Sequence, residues 1–245
     1  MDSKPNGPVA VFCVKTGSKY PADYANRLWR GVGRHLSLPH TFHCLTDDDR
    51  GLDGGIKTHE LPSPDPGTCW NKLRLFARDI AAPGSTILYL DLDVVLTGEL
   101  DDLLSYRPGE DFLGQPDWNR PFFPQFNSSV MRFRAGAHPE VLETFLAQVS
   151  SGQLVRRDEW DATTRGTDKV TYRRGWRRFG GDQEWITFAL RPKRGVRTRS
   201  FPRGWVVSYK KHGRRSLPAG AKVVVFHGSP KPHEVGESYV RENWR

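Results

Sequence analysis

Ile87-Leu88-Tyr89-Leu90-Asp91-Leu92-Asp93-Val94-Val95-Leu96 is the most apolar stretch of the chain, and two carboxylates lie inside it. From Thr86 onward it reads as a buried strand, with its only charges at Asp91 and Asp93. Burying a charge is expensive unless it is paired or bound to a metal. On a strand, residues i and i+2 share a face, so the two carboxylates would converge while Leu92 points into the core. Carboxylate oxygens are hard ligands of the kind that Mg²⁺ and Mn²⁺ take. The alternative is a strand-end turn or two structural ion pairs. Asp47 and Asp49 form a second D-x-D triplet in an acidic turn, so the triplet alone does not decide between them.

Outward from this run, strand and helix signals alternate. Val9 to Val14, between Pro8 and Gly17, reads as a short buried strand. Tyr24, Leu28, Val32 and Leu36 recur at helical spacing from Ala22 to Leu36, behind Pro21. Thr41 to Thr46 is a second strand. A Pro/Gly loop over Leu61 to Gly67 leads into a helix with Leu73, Phe76, Ala77 and Ile80 on one face, ended by Pro83-Gly84. Asp111–Gln115 and Asn127–Phe133 read as strands, Pro139–Val149 and Asp182–Leu190 as helices, and Trp205–Tyr209 and Lys222–Phe226 as late strands. Alternation of this kind predicts an α/β fold with a mostly parallel sheet. The strands are continuously apolar, as expected where both faces are covered.

Composition narrows the class. A chain of 245 residues with 8 Trp, 13 Phe and 7 Tyr can bury a sizeable core, which excludes general disorder. The net charge of +9, and a pI of about 9.6, suit anionic partners without choosing among them. Basic residues concentrate late: Arg191 to Arg215 holds ten Lys or Arg and no acid, and Arg156 to Arg178 mixes Arg with Trp160, Tyr172 and Trp176. Three cysteines without zinc-type spacing form no disulfide framework, and a reducing, cytoplasmic compartment is the expectation. No stretch approaches the ~18 apolar residues of a spanning helix.

Four further features could carry chemistry. Val223-Val224-Val225-Phe226-His227-Gly228 delivers His227 to the carboxyl end of a strand, where open α/β sheets bind ligands. Imidazole is a plausible metal ligand there, and Lys231 just beyond could neutralise phosphate. A hydrogen-bonded structural His and a solvated Lys are the plainer readings. Asn127-Ser128 opens an apolar strand with groups able to bond sugar hydroxyls, although such residues also fill turns. Asp182, with Gln183 and Glu184, reads first as a helix N-cap. Lys72, at a helix start where the dipole disfavours a cation, points to an anionic neighbour.

Taken in order, these pieces resemble the retaining GT-A glycosyltransferases of the glycogenin and lipopolysaccharide-galactosyltransferase kind. The resemblance runs from Val9 to about Glu234: an opening strand and helix, an early Lys, D-x-D, an Asn-Ser pair, an Asp-Gln pair, then a late His and Lys-Pro. It implies a single GT-A domain over 9–235, with a donor-binding half over 9–135 and an acceptor-side half over 136–235. Residues 1–8 are then a flexible N-terminus and 236–245 a C-terminal tail. It implies Asp91, Asp93 and His227 as ligands of Mn²⁺ or Mg²⁺, with Asp91 also near the ribose. Lys231 and Lys72 would face the donor diphosphate, Asn127 and Ser128 the donor sugar, and Asp182 and Gln183 the anomeric carbon. Two departures stand out. His227 and Lys231 are four residues apart where the family has six, and Val14-Lys15-Thr16-Gly17-Ser18-Lys19-Tyr20 replaces an Asp and Asn before the base-stacking Tyr, leaving Tyr20 for that role.

The implied activity is metal-dependent transfer of a sugar from a nucleoside-diphosphate sugar, UDP-linked by expectation, to a glycan, lipid-linked or other hydroxyl acceptor with retention. The basic segments read as a solvated surface, or as a patch for an anionic acceptor or the inner face of a membrane. Two rivals differ in class. A nucleic-acid or anionic-glycan binding protein would use the basic residues but gives no reason for two Asp in an apolar strand. A sugar-phosphate nucleotidyltransferase would open with a Gly-rich phosphate loop, and only Gly17 follows the first strand.

Overall fold

The run from Thr86 to Leu96 is two strands in two sheets. In the computed structural model, which describes residues 7–61, 65–120, 125–161, 167–190 and 198–245, β4 (Thr86–Leu90) ends where Asp91 begins. Asp91, Leu92 and Asp93 form a bend, and β5 (Val94–Leu96) continues into a smaller sheet. The expectation that the two carboxylates share one strand face is therefore corrected. The cause is pairing: β4 lies between β1 (Val9–Lys15) and β7 (Phe126–Arg134), whereas β5 pairs antiparallel with β13 (Val223–Val225). An apolar run can cross from one core to another without any change of pattern.

The main sheet has seven strands in the order β11 (Thr198–Ser200), β6 (Phe112–Pro116), β7, β4, β1, β2 (His40–Thr46), β3 (Ile56–Glu60). Only β7 runs against the others. Alternate residues of β1 and β4 feed opposite faces. Val9, Val11, Cys13, Leu88 and Leu90 pack in one core with Tyr24, Leu28 and Val32 of α1 (Ala22–His35). Ala10, Phe12, Ile87 and Tyr89 pack in the other, with α3 (Glu140–Ser150) and α4 (Asp182–Ala189). Coverage of both faces explains the continuous apolar strands.

Between β3 and β4 the chain forms a 3₁₀ helix over Thr68–Phe76 rather than a longer α-helix; Ala77 turns extended, and Ala77 and Ile80 remain buried in the second core. A short helix α2 (Asp101–Ser105) precedes β6. A separate antiparallel meander, β8 (Val155–Asp161), β9 (Thr167–Arg174) and β10 (Arg177–Phe179), was not visible in the sequence pattern and leads directly into α4. β12 (Val206–Ser208) completes the small sheet beside β13. The C-terminal tail contains helix α5 (Ser238–Asn243), which buries Tyr239 and Val240. It is tied to α1 where Arg27 stacks on Trp244, 4.5 Å from the ring centre, and donates to its carbonyl. No described helix is long and apolar enough to cross a membrane. Residues 1–6 and 191–197, where the flexible N-terminus and the start of the basic segment were read, lie outside the described residues.

Candidate functional site

The predicted residues collect at the carboxyl-end edge of the parallel strands. β4 ends at Asp91; β7, running the other way, begins there with Asn127 and Ser128; α4 begins there with Asp182; and β13 ends just before Phe226 and His227. Two ion clusters organise this edge.

Lys72, 5% exposed, is at the centre of the first. Its ammonium lies 3.0 Å from Asp91 Oδ1 and 3.1 Å from Asp182 Oδ2. It also donates to the Ser128 hydroxyl at 3.1 Å, and that hydroxyl donates to Asp182 at 2.6 Å. Tyr89 donates to Asp91 at 2.6 Å. Burial disfavours the charged Lys72, yet Asp182 and Asp91 more than offset it and hold the ammonium above its ordinary value. Burial also works against ionised Asp91, and Lys72, Tyr89 and Ser129 outweigh it, holding its carboxyl below the usual range. The anionic neighbour expected from Lys72's unfavourable place at a helix start is thus a carboxylate pair. Asp182 is not the cap of α4; Gly181 holds that position, and the Asp182 side chain turns to Lys72 and Ser128 instead.

The second cluster joins Tyr20, Asp93 and Lys231. Tyr20 donates to Asp93 Oδ2 at 2.8 Å, Lys231 donates to the Tyr20 oxygen at 2.8 Å, and Lys231 forms a close ion pair with Asp93. Burial and the Asp93 charge push the Tyr20 phenol well above its ordinary value, so it stays a donor. Its ring packs against Tyr24 at 4.8 Å. Phe226 N–H bonds to Asp93 O, tying the bend to the end of β13. His227 hydrogen-bonds through Nε2 to Ser208 Oγ at 2.6 Å and stacks on Trp118 with ring centres 6.0 Å apart. Burial, then Lys210, lowers its pKa and favours the neutral ring.

Four contributors escaped the sequence reading. Asp117, buried just past β6, accepts from Gln183 Nε2 and Gln125 Nε2, each at 3.1 Å, and from Asn119 N–H at 2.9 Å. Trp118 and Ser208 frame His227. Lys210 brings its ammonium close to Gly228, where even a Cβ would meet it at 3.1 Å. The only signal available for Asp117 was a carboxylate closing an apolar strand; Lys210 was lost within the basic segment. Asn127 is buried, and its side-chain oxygen accepts from Ser129 N–H at 3.1 Å.

Two carboxylates and a neutral imidazole at strand ends are donors of the kind Mn²⁺ or Mg²⁺ takes, so the set fits in kind. It is not gathered. Asp91 faces Lys72, Asp93 faces Lys231, His227 faces Ser208, and among the described residues no three His, Cys, Asp or Glu side chains converge on one point.

No protein-family model matches the chain, and no curated protein matches it. Solved structures do. The glycosyltransferase GlyE of Streptococcus pneumoniae TIGR4 is 14% identical with a TM-score of 0.63, over 98% of this chain and 62% of its own. Its apo form gives 15% and 0.61, over 97% of this chain and 61% of its own; the chain thus spans about three fifths of GlyE. An active-site mutant of LgtC is 12% identical with a TM-score of 0.64, over 95% of this chain and 93% of its own. The galactosyltransferase LgtC in complex with donor and acceptor sugar analogues is 12% identical with a TM-score of 0.58, over 91% and 89%. At these identities the likeness is one of architecture: this chain has the GT-A fold.

Proposed function

We propose that the protein is a glycosyltransferase that moves a sugar from a nucleoside-diphosphate sugar to a hydroxyl acceptor on a glycan or lipid-linked glycan, with retention. The observation that carries this reading is the convergence of Lys72, Asp91, Ser128 and Asp182, from four separate elements, at the strand ends where α/β sheets bind ligands. A buried cluster with two carboxylates for one ammonium is costly to maintain for structure alone. The solved neighbours of the same architecture carry glycosyltransferase names, and one holds donor and acceptor sugar analogues.

In this reading the chain's own groups divide the work. Lys231, 3.5 Å from the Phe226 carbonyl, and Lys210, beside Gly228, supply positive potential for the diphosphate, whose negative charge grows as the anomeric bond breaks. Tyr20 offers its ring to the base; UDP is the proposed nucleotide. Lys72 does not reach toward the donor. It holds Asp91 and Asp182 in place by ion pairs at 3.0 and 3.1 Å, so that the Asp182 carboxyl stands beside the anomeric carbon as nucleophile or as stabiliser of an oxocarbenium-like state. Asp117 fixes the amide of Gln183 with its nitrogen turned inward. Mn²⁺ or Mg²⁺, held by Asp91, Asp93 and His227, would supply Lewis-acid stabilisation of the leaving diphosphate. Lys231 and such an ion compete for Asp93.

Thermal unfolding with UDP, GDP, ADP and CDP, each with Mn²⁺ or with EDTA, tests the donor site. A ligand at ~100 times its Kd adds about 2.7 kcal/mol, which for this size is roughly 5 °C. A rise with one nucleotide that needs the ion and vanishes in Asp93→Asn supports the reading. No rise with any nucleotide refutes it.

A further inference from the structure

Lys15 is the last residue of β1 and is 5% exposed. Its ammonium donates to the Asp48 carbonyl at 2.8 Å and, among the described residues, to no other group. The Asp48 carboxylate turns to Arg50 at 2.8 Å instead, and Asp47 Oδ2 accepts from Gly17 N–H at 2.7 Å. Lys72 and Lys231 each face a carboxylate, whereas Lys15 is buried with no ion pair. An ammonium carries three donors, so two of those on Lys15 have no protein partner. Burying a charge in this way is costly. The local structure does not require it either, because the Asp48 carbonyl also accepts from the Thr46 hydroxyl at 2.8 Å.

The place of this residue in the sheet is informative. β1 lies between β4 and β2. The chain leaves β1 through α1 to reach β2 on one side, and β4 lies on the other, so the strand order reverses at β1. The carboxyl end of such a strand is where open α/β sheets bind ligands. Lys15 continues the alternation of Val11 and Cys13 on the α1 face, and Tyr20 packs against that same core. Its nitrogen bonds to the turn after β2, while Asp91 follows β4 on the far side of β1. Two strand spacings, roughly 10 Å, separate those positions. One ligand engages both only by lying across β1, as a nucleotide does with its diphosphate at one end and its base at the other.

We propose that Lys15 reads the base of the donor nucleotide by donating to an exocyclic carbonyl oxygen, so that the site takes a keto base and rejects its amino counterpart. The chemistry sets the direction, since an ammonium donates and cannot accept. Uracil and hypoxanthine present a keto oxygen where cytosine and adenine carry an amino group, itself a donor. An amino base would leave the ammonium unpaired and set two donors face to face. This assignment rests on the proposed donor site and gives a physical reason for UDP over CDP there.

The test is calorimetric titration of the full chain, with Mn²⁺ present, using UDP against CDP and IDP against ADP. A hydrogen bond from a charged donor discriminates by roughly ten- to a hundredfold, and the wild type should prefer the keto member of whichever pair it binds by that factor. In Lys15→Met the keto nucleotide should bind roughly tenfold more weakly and the preference should fall below about threefold. Lys15→Gln, whose amide can donate to a keto oxygen or accept from an amino group, should bind both members within about threefold, and it decides the matter if the methionine variant does not fold. Without nucleotide, Lys15→Met should melt at or above the wild type, because an unpaired buried charge gives way to an apolar chain. A preference that survives in the variants overturns the assignment. So does equal weakening of every nucleotide, which would put a phosphate on Lys15, and so does a wild type that prefers the amino member or neither. A wild type that binds no nucleotide refutes the donor site and this assignment with it, whereas the other failures leave the donor site standing.

Discussion

Replacing Lys72 with Met keeps the volume and removes the charge, so it isolates what the ammonium does. In the wild type one ammonium faces two carboxylates, at 3.0 and 3.1 Å, in a pocket where Lys72 is buried and Asp91 keeps 24% of its side chain open. Breaking a buried pair by removing one partner costs roughly 3–5 kcal/mol, because the remaining charge is left uncompensated. At about 2.1 cal/mol/K per residue, 245 residues give an unfolding entropy near 0.5 kcal/mol/K, so the midpoint should fall by roughly 6–10 °C at pH 7. The pH dependence identifies the cause. In the wild type the Asp91 carboxyl is held below its unfolded value, so its contribution is present above about pH 4 and is lost as pH falls through the folded value. In Lys72→Met the sign reverses. Without the ammonium, burial raises the Asp91 carboxyl, the folded state takes up a proton before the unfolded chain does, and the deficit shrinks as pH falls from 7 towards 5. Urea unfolding of both proteins at pH 7, 6 and 5 reads this directly. A loss under about 1 kcal/mol at pH 7, or a loss of the same size at pH 5, would refute the view of Lys72 as the counter-ion of Asp91 and Asp182.

Three further outcomes follow from the same geometry. Lys231→Ala frees Asp93, so Mn²⁺ alone should raise the melting temperature of that variant by roughly 5 °C at saturating ion, while the wild type needs nucleotide as well; calorimetry with and without UDP separates the two. His43, lowered to about 4 by burial, then by His59 and Lys57, stays neutral in the fold, and its ring bonds His59 at 2.7 Å. An imidazole depressed in the fold contributes stability that is present above the unfolded value near 6.5 and is lost as pH falls towards the folded one; His43→Phe should recover about 1 kcal/mol between pH 7 and 5, measured by urea titration and discounted for solvent screening. Gly67, at φ +94°, leaves no room for a side chain, since a Cβ would lie 2.7 Å from Val170 Cγ2. Gly67→Ala should therefore cost about 1–3 kcal/mol and loosen the meander, as seen in faster amide exchange at Val170.

How legible each part of the molecule was in the sequence depended on where its partners lie along the chain. The main sheet was readable because its strands are continuous apolar runs that need no partner to be recognised; β1, β2, β6 and β7 appear within a residue or two of expectation, and β4 starts at Thr86 as read but ends at Leu90 rather than Leu96. The meander was not, because β8 and β9 carry Arg, Lys, Asp or Glu at most positions, and among the described side chains Val170 and Tyr172 of β9, with Phe179 of β10, are the apolar ones that declare a buried face. The bend at Asp91–Asp93 was hidden for the opposite reason: the pattern is equally apolar on both sides of it, and only the late strand β13 captures Val94–Leu96 away from the main sheet.

The site follows the same logic one level up. A buried Asp pair and a Lys at an unfavourable helix position each announce a local cost, so each was found; the identity of what offsets that cost was not local and could not be. Lys72 meets Asp182, and Asp93 meets Lys231, across more than a hundred residues of sequence. Asp117 shows the limit most clearly. It breaks no local rule, being a polar residue just past a strand, and only the fold reveals that three donors converge on it, one of them the amide of Gln183. Costly residues can therefore be read from a sequence as candidates, while the residues that orient them surface only with the fold. That is why the resemblance could point to Asp91, Asp93 and His227 as metal ligands, while only the fold shows Asp91 held by Lys72, Asp93 by Lys231 and His227 by Ser208.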